Sequence, residues 1–157
     1  MFGVLGALTF SLKLAMAFLP NIEPVSLLLM VFAVVFGWKA LYITYVYVAM
    51  EILFFGLSIW NIYYLYVWAI LVLAAILLRG MKSPLGWAVL SGAFGLMFGA
   101  LCAVTDLFIG GPGYALAKWV TGITFDLAHC AGNFAIALLM FEPLRLLLGK
   151  LYRRIRK

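Results

Sequence analysis

The distribution of positive charge constrains this chain more than any other feature. Apart from Lys13 and Lys118, all of its eleven lysines and arginines lie in alternate connections between apolar blocks or in the tail, at Arg145 and in the final run Lys150-Leu-Tyr-Arg-Arg-Ile-Arg-Lys157. Lys39, then Arg79 and Lys82, then Arg145 and the run beyond it are separated by apolar stretches long enough to cross a bilayer. Segregation of Lys and Arg to one side is the positive-inside pattern, which predicts orientation as well as topology. Hydrophobic residues make up 68% of the chain and charged residues 10%, with a mean hydropathy of +1.21. That much apolar surface exceeds what a soluble core absorbs, so lipid is expected to cover most of it.

A length of 157 residues leaves room for about six helical spans of roughly 20 residues with short connections. The expected fold is therefore an all-α integral membrane protein. It is one domain over 1–157, a compact bundle of about six transmembrane helices with both termini cytoplasmic and a basic tail over 144–157. The net charge of +6 comes largely from that tail and suits an anionic cytoplasmic leaflet rather than nucleic acid. Met1-Phe-Gly-Val-Leu lacks a basic leader region, and Lys13 interrupts the apolar stretch. Both argue that the first span is retained despite the cleavage-like Ala15-Met-Ala17.

Spans are expected over approximately Phe2–Leu19, Val25–Gly37, Ala40–Leu57, a fourth ending near Leu78, a fifth from Gly86, and Ala117–Phe141. Pro20-Asn-Ile-Glu-Pro24 reads as a stiff turn. The second span is short to cross upright alone, and support by neighbours is one way out. Ser58-Ile-Trp-Asn-Ile-Tyr-Tyr64 reads as an aromatic outer loop. Gly110-Gly-Pro-Gly113 reads as a break on the same side. Ser91, Gly95, Gly99 and Ala103 recur every four residues, giving the fifth span a flat face. Gly3, Ala7, Ser11 and Ala15 do the same for the first, where either internal packing or docking onto a separate membrane subunit is open.

Asp126, His129 and Asn133 are spaced to share one helix face. Each ionisable group at mid-membrane costs about 2.5–3.5 kcal/mol, so this face should turn inward. It reads either as a ligand pocket or as a hydrogen-bonded tie between helices. Glu51 reads as a ligand contact or as the partner of a polar residue such as His129 or Lys118. Lys13 is placed to snorkel or to reach an inner polar contact. Asp106, Lys118 and Trp119 flank the Gly110–Gly113 break and are candidates for a pocket rim. Asn21, Glu23, Asn61, Tyr63, Tyr64 and Trp68 add polar and aromatic groups on that side, as an interfacial belt or as stacking surfaces. The substrate-binding candidates are thus Glu51, Asn61, Tyr64, Trp68, Asp106, Lys118, Trp119, Asp126, His129 and Asn133. Cys102 and Cys130 lie in apolar stretches and read as packing residues. One histidine and two scattered cysteines fall short of an ordinary zinc set. No metal or cofactor is expected. There is no nucleotide-binding glycine loop and no Ser-His-Asp pattern, so no catalytic residue is assigned and ATP hydrolysis is not expected of this chain.

The chain resembles the substrate-binding S components of energy-coupling factor (ECF) transporters over nearly its full length. The resemblance rests on size, the small-residue first helix Gly3/Ala7/Ser11/Ala15, and the stretches Asn21-Ile-Glu-Pro-Val25, Phe36-Gly-Trp-Lys-Ala40, Phe108-Ile-Gly-Gly111 and Phe125-Asp-Leu-Ala-His129 with Gly132-Asn133. It implies an ABC-type transport protein of a prokaryotic cytoplasmic membrane, active in uptake of a vitamin or other micronutrient. It further implies partners: a transmembrane scaffold subunit, which the small residues Gly3, Ala7, Ser11 and Ala15 would meet, and two ATPase subunits. The mixture of acids, Lys118, His129 and aromatics suits a polar heterocyclic vitamin, and family likeness alone also admits a corrinoid. Two other classes compete. A structural or assembly membrane protein would bind no ligand, and a small intramembrane enzyme using His129 and Asp126 would turn over substrate unaided.

Orientation is directly testable. In a background lacking Cys102 and Cys130, Arg154→Cys should stay unlabelled by an impermeant thiol reagent in intact cells and react after permeabilisation. Labelling from outside intact cells would reverse the assignment.

Overall fold

The structure is a computed structural model that describes residues 1–19 and 22–155. Pro20, Asn21, Arg156 and Lys157 lie outside the described residues, and with them the parts of the first turn, the Asn21 contact and the tail assigned to those positions. The described chain is all helical: α1 (Phe2–Ala15), α2 (Val25–Phe36), a 3-10 turn at Gly37–Lys39, α3 (Ala40–Phe55), α4 (Ile59–Leu77) and α5 (Pro84–Ile155).

Six separate spans are not what forms. The helical stretches among the described residues number four. Phe2–Ala15 is a shorter apolar helix, and Val25–Phe55, Ile59–Leu77 and Pro84–Ile155 are each long and apolar enough to cross a membrane. The expected connections at Gly37–Lys39 and Gly110–Gly113 are too tight to interrupt helical backbone for more than a residue or a turn. Gly37, with φ 60°, ends α2, and a 3-10 turn leads straight into α3. At Gly111, φ 78° and ψ −178° break α5 just before Pro112. Both positions need the left-handed region that a β-carbon disfavours.

As a straight rod, the 72 residues of α5 would span about 108 Å. Instead, residues 84–110 and 112–155 lie against one another as two arms. The contact runs along the glycine face expected of the fifth span. A β-carbon on Gly92 would lie 3.2 Å from Phe134 Cβ, and one on Gly95 would lie 2.8 Å from the backbone of His129. A methyl at Gly99 would overlap the Asp126 carboxylate. Small residues there let the helix axes approach closely enough to bury the polar face of the second arm.

Helix α2 is the centre of the bundle. Its residues Val25 to Ala33 and Phe36 are all buried, and it contacts every other α-helix. A helix that is apolar all round belongs inside, which is how a span too short to cross alone is supported. The α1 helix packs mainly on α3, through Gly6, Thr9 and Phe10. Gly6, not the Gly3 stripe, makes the close approach, because a β-carbon there would meet Val46 and the Ile43 carbonyl. Gly3, Ser11 and Ala15 are exposed and Ala7 is half-buried, so internal packing does not account for this stripe. Large apolar side chains such as Leu53, Leu77 and Phe108 point outward at 80%, 83% and 84% exposure, a surface suited to lipid rather than water.

The aromatic segment 58–64 is helix rather than loop. Ser58, in extended backbone, is the N-cap of α4. Its N–H donates to Asn61 Oδ1 at 2.6 Å, closing the first turn in the manner of a capping box. The first helix ends earlier than expected, at Ala15. The last runs beyond Phe141, through Pro143, to Ile155.

Gly95→Ala should lower thermal stability in detergent. The overlap with the His129 backbone costs about 1–3 kcal/mol and outweighs the helix-propensity gain of at most about 1 kcal/mol. Gly149→Ala, where a β-carbon meets nothing within 4 Å, should be neutral or stabilising. Equal responses at the two sites would remove the close-contact account.

Candidate functional site

Residues 16–19 and 22–24, with the connections 56–58 and 110–113, lie at one end of the bundle, and Lys39, Arg79 and Lys82 lie in the connections at the other. The carboxyl-terminal part of α5 joins the basic end, where Tyr152 meets Phe36 edge-on with ring centroids 4.8 Å apart and Arg145 pairs with Glu142. Four of the chain's five acids, Glu23, Glu51, Asp106 and Asp126, line a cavity of about 770 Å³ near the first end. This volume falls within the range of small-molecule sites.

The cavity is built from the carboxyl ends of α1 and α3, the start of α4, and both arms of α5 beside their Gly111 break. Of the ten expected substrate contacts, Glu51, Asn61, Tyr64, Asp106, Lys118, Trp119, Asp126 and His129 are brought together in its lining. Trp68 and Asn133 are not. Trp68 is fully buried behind the wall, with its ring centroid 5.6 Å from those of Tyr64, Phe94 and Phe98. Asn133 donates to Ser26 Oγ at 3.0 Å and to the Ser91 carbonyl at 3.3 Å. It therefore ties α2 to both arms of α5, which is the structural half of the reading placed on the Asp126/His129/Asn133 face.

Two ion pairs anchor the walls. Lys13 Nζ donates to both carboxylate oxygens of Glu51 at 2.9 Å, and it stands 5.3 Å from the Tyr64 ring centroid. The partner of Glu51 is thus Lys13, not His129 or Lys118. On the facing wall Lys118 Nζ reaches Asp106 Oδ1 at 3.0 Å and Tyr63 Oη at 2.9 Å, while Tyr63 donates to the same Asp106 oxygen. A buried ion needs such partners.

The floor differs. Asp126 Oδ1 accepts the Gly99 N–H at 3.0 Å, while its Oδ2 and His129 Nε2 are buried with no hydrogen-bond partner among the described residues. The imidazole stands edge-on to Phe98, with centroids 5.0 Å apart. Both side chains are more than nine-tenths buried, and the two residues, one helical turn apart, contribute to the lining of the cavity. An unpartnered polar atom in such a place costs about 1–3 kcal/mol until something supplies the missing partner. Among the described residues, no group of three or more His, Cys, Asp or Glu side chains is placed to hold a metal ion.

Phe10, Phe55, Phe98, Cys102 and Phe125 complete the apolar lining. No motif marks them as binding residues, because apolar side chains facing a cavity and facing the core read alike in sequence. Lys13 reads in sequence either as a snorkelling side chain or as one that reaches an inner polar contact, and in the structure it makes the second, to Glu51. No known protein family, curated protein or solved structure matches this chain.

Glu23 lies in the connection before α2, beyond the helices. Its burial pushes the carboxyl up to about 7, against the pull of Lys13 and with a further push from Glu51. The folded state therefore holds this proton over a pH range in which the unfolded chain has released it. Stability from this group is present at low pH and is lost as pH rises from the ordinary glutamate value through 7. Thermal unfolding between pH 5 and 8 should show this decline, and Glu23→Gln should flatten it. An unchanged slope in that variant would assign the titration elsewhere.

Proposed function

We propose that this chain is the substrate-binding S component of an ECF-type ABC transporter. It captures a vitamin-like micronutrient from outside a prokaryotic cytoplasmic membrane and passes it across. The observation that carries the reading is the 770 Å³ cavity, whose floor holds the buried, unpartnered Asp126 Oδ2 and His129 Nε2. A bundle held together only by polar ties would have no use for open volume beside unsatisfied groups. In this reading the cavity end faces outward and the basic end faces the cytoplasm, in keeping with the positive-inside rule. The resemblance in the first helix and in Phe125-Asp-Leu-Ala-His129 supports the family, and ATP hydrolysis falls to two separate ATPase subunits.

Docking to the scaffold subunit is assigned to Gly3, Ala7, Ser11 and Ala15. What supports it is their outward position on α1 and the fact that the Ser11 hydroxyl bonds its own helix at the Ala7 carbonyl. That leaves a smooth surface for close helix approach.

Mass spectrometry of small molecules co-purifying with the detergent-solubilised chain should identify the cargo, and calorimetric titration should return its affinity. Ala7→Trp and Ser11→Trp should abolish uptake by the full transporter while leaving that affinity unchanged. Uptake surviving both substitutions would remove the docking face. No bound molecule, together with no ligand-induced stabilisation, would remove the capture reading itself.

A further inference from the structure

The charges around the cavity are not evenly matched. Its two lysines are both engaged: Lys13 by Glu51 and Lys118 by Asp106 and Tyr63. Among the described residues, Asp126 has no cation paired with it at ion-pair distance. Each ammonium keeps one N–H beyond the two it gives its partners, so an anionic ligand would find at most a single donor on each lysine, beside a carboxylate that repels it. A cationic ligand would break nothing. It would supply the missing partner of Asp126 Oδ2 beside Gly99, where the carboxylate is already oriented by a backbone N–H. The rings of Tyr64, Phe98, Trp119 and Phe125 in the same lining present faces on which a flat or cationic body gains stacking and cation–π energy.

We infer that the cavity selects a cation: a small ligand with a protonated amine, amidine or charged ring nitrogen on a flat apolar body, with Asp126 as its counter-ion. This rests on the reading of the chain as a capture subunit and narrows its substrate class. His129 Nε2, one turn further along the floor, takes a second polar group of the ligand, since a neutral imidazole nitrogen serves as donor or acceptor according to its tautomer.

The test uses three probes of nearly equal shape and different charge on the full chain in detergent. Benzamidine is the cation, benzamide the neutral and benzoate the anion. Benzamidine at millimolar concentration should raise the unfolding temperature, and benzamide and benzoate should not. Asp126→Asn, which keeps the acceptor for Gly99 N–H, should weaken the benzamidine response by about ten- to 150-fold in apparent affinity. If that variant fails to fold, the three-probe series on the unaltered protein still decides the sign of the ligand. Benzoate matching or exceeding benzamidine, no response to any probe, or a benzamidine response untouched by Asp126→Asn would each overturn the inference. A co-purifying molecule that is anionic would also overturn it, while leaving the capture reading standing. Only the absence of both a probe response and any co-purifying molecule would remove the two together.

Discussion

The contact between the two arms of α5 is the constraint on which the rest of the molecule depends. Gly92, Gly95 and Gly99 present almost bare backbone to Cys130, His129 and Asp126. Closer approach than ordinary side chains permit does two things at once. It removes Asp126 and His129 from the lipid-facing surface, where an ionisable group is most costly. It also brings the Gly99 N–H within reach of Asp126, so that one carboxylate oxygen is held and, among the described residues, the other is left without a partner. Larger side chains along this face would separate the arms, and the floor of the cavity would open toward the bilayer.

Around that contact, polarity is graded along the bundle axis. The basic end carries Lys39, Arg79 and Lys82 between its helices and Arg145, Lys150, Arg153 and Arg154 in the last turns of α5, a distribution suited to headgroups and water. The middle is held by apolar packing around α2, by the stacked rings of Trp87 and Phe141 at 4.4 Å, and by the Asn133 tie to Ser26 and Ser91. The other end holds Lys13 and Lys118, and each is matched with an acid on another helical segment. An acid buried beside a lysine costs less than the same acid unpaired, but the pair still carries a desolvation penalty that apolar replacement would avoid. Two such pairs bordering one cavity, beside a third acid whose second oxygen is unpaired, are hard to explain by stability alone.

Much of this was legible in the chain. The positions of Lys and Arg marked two ends, the four-residue recurrence of small residues marked the face on which α5 folds, and Gly110-Gly-Pro-Gly113 marked its break. The polar set Glu51, Asp106, Lys118, Asp126 and His129 was legible as well, because intramembrane charges are too costly to scatter. What was not legible follows from physics that spacing does not carry. Helix count failed because a single left-handed glycine turns a chain without leaving a loop long enough to register. Asn61 and Tyr63 were read as loop because aromatic density at an interface looks the same whether or not Ser58 caps a helix there. Asn133 shares a helical face with His129, yet a further turn of the helix carries it below the cavity floor to Ser26. Trp68 looked interfacial by type and is core by position. Pairing was the hardest to read: Glu51 had several polar candidates, and only the parallel packing of α1 on α3 through Gly6 selects Lys13.

That selection gives α1 an unusual place. It is attached mainly along one face, by Gly6, Thr9 and Phe10 on α3, and near its carboxyl end by a two-oxygen ion pair that also forms part of the cavity wall. Another face carries the small-residue stripe, where a β-carbon on Gly3 would meet nothing within 4 Å among the described residues. A helix of 14 residues is stiff over its length of about 21 Å, so a shift at Lys13 is carried to the stripe rather than absorbed on the way. On the proposed reading, cargo and scaffold thus act on two sides of one helix. A ligand that leaves the Lys13–Glu51 pair intact keeps α1 seated on α3 and the outer face in register. One that competed for Lys13 would loosen the same helix it needs for docking. The cationic ligand inferred for Asp126 is of the first kind, which ties the sign of its charge to the integrity of the partner surface.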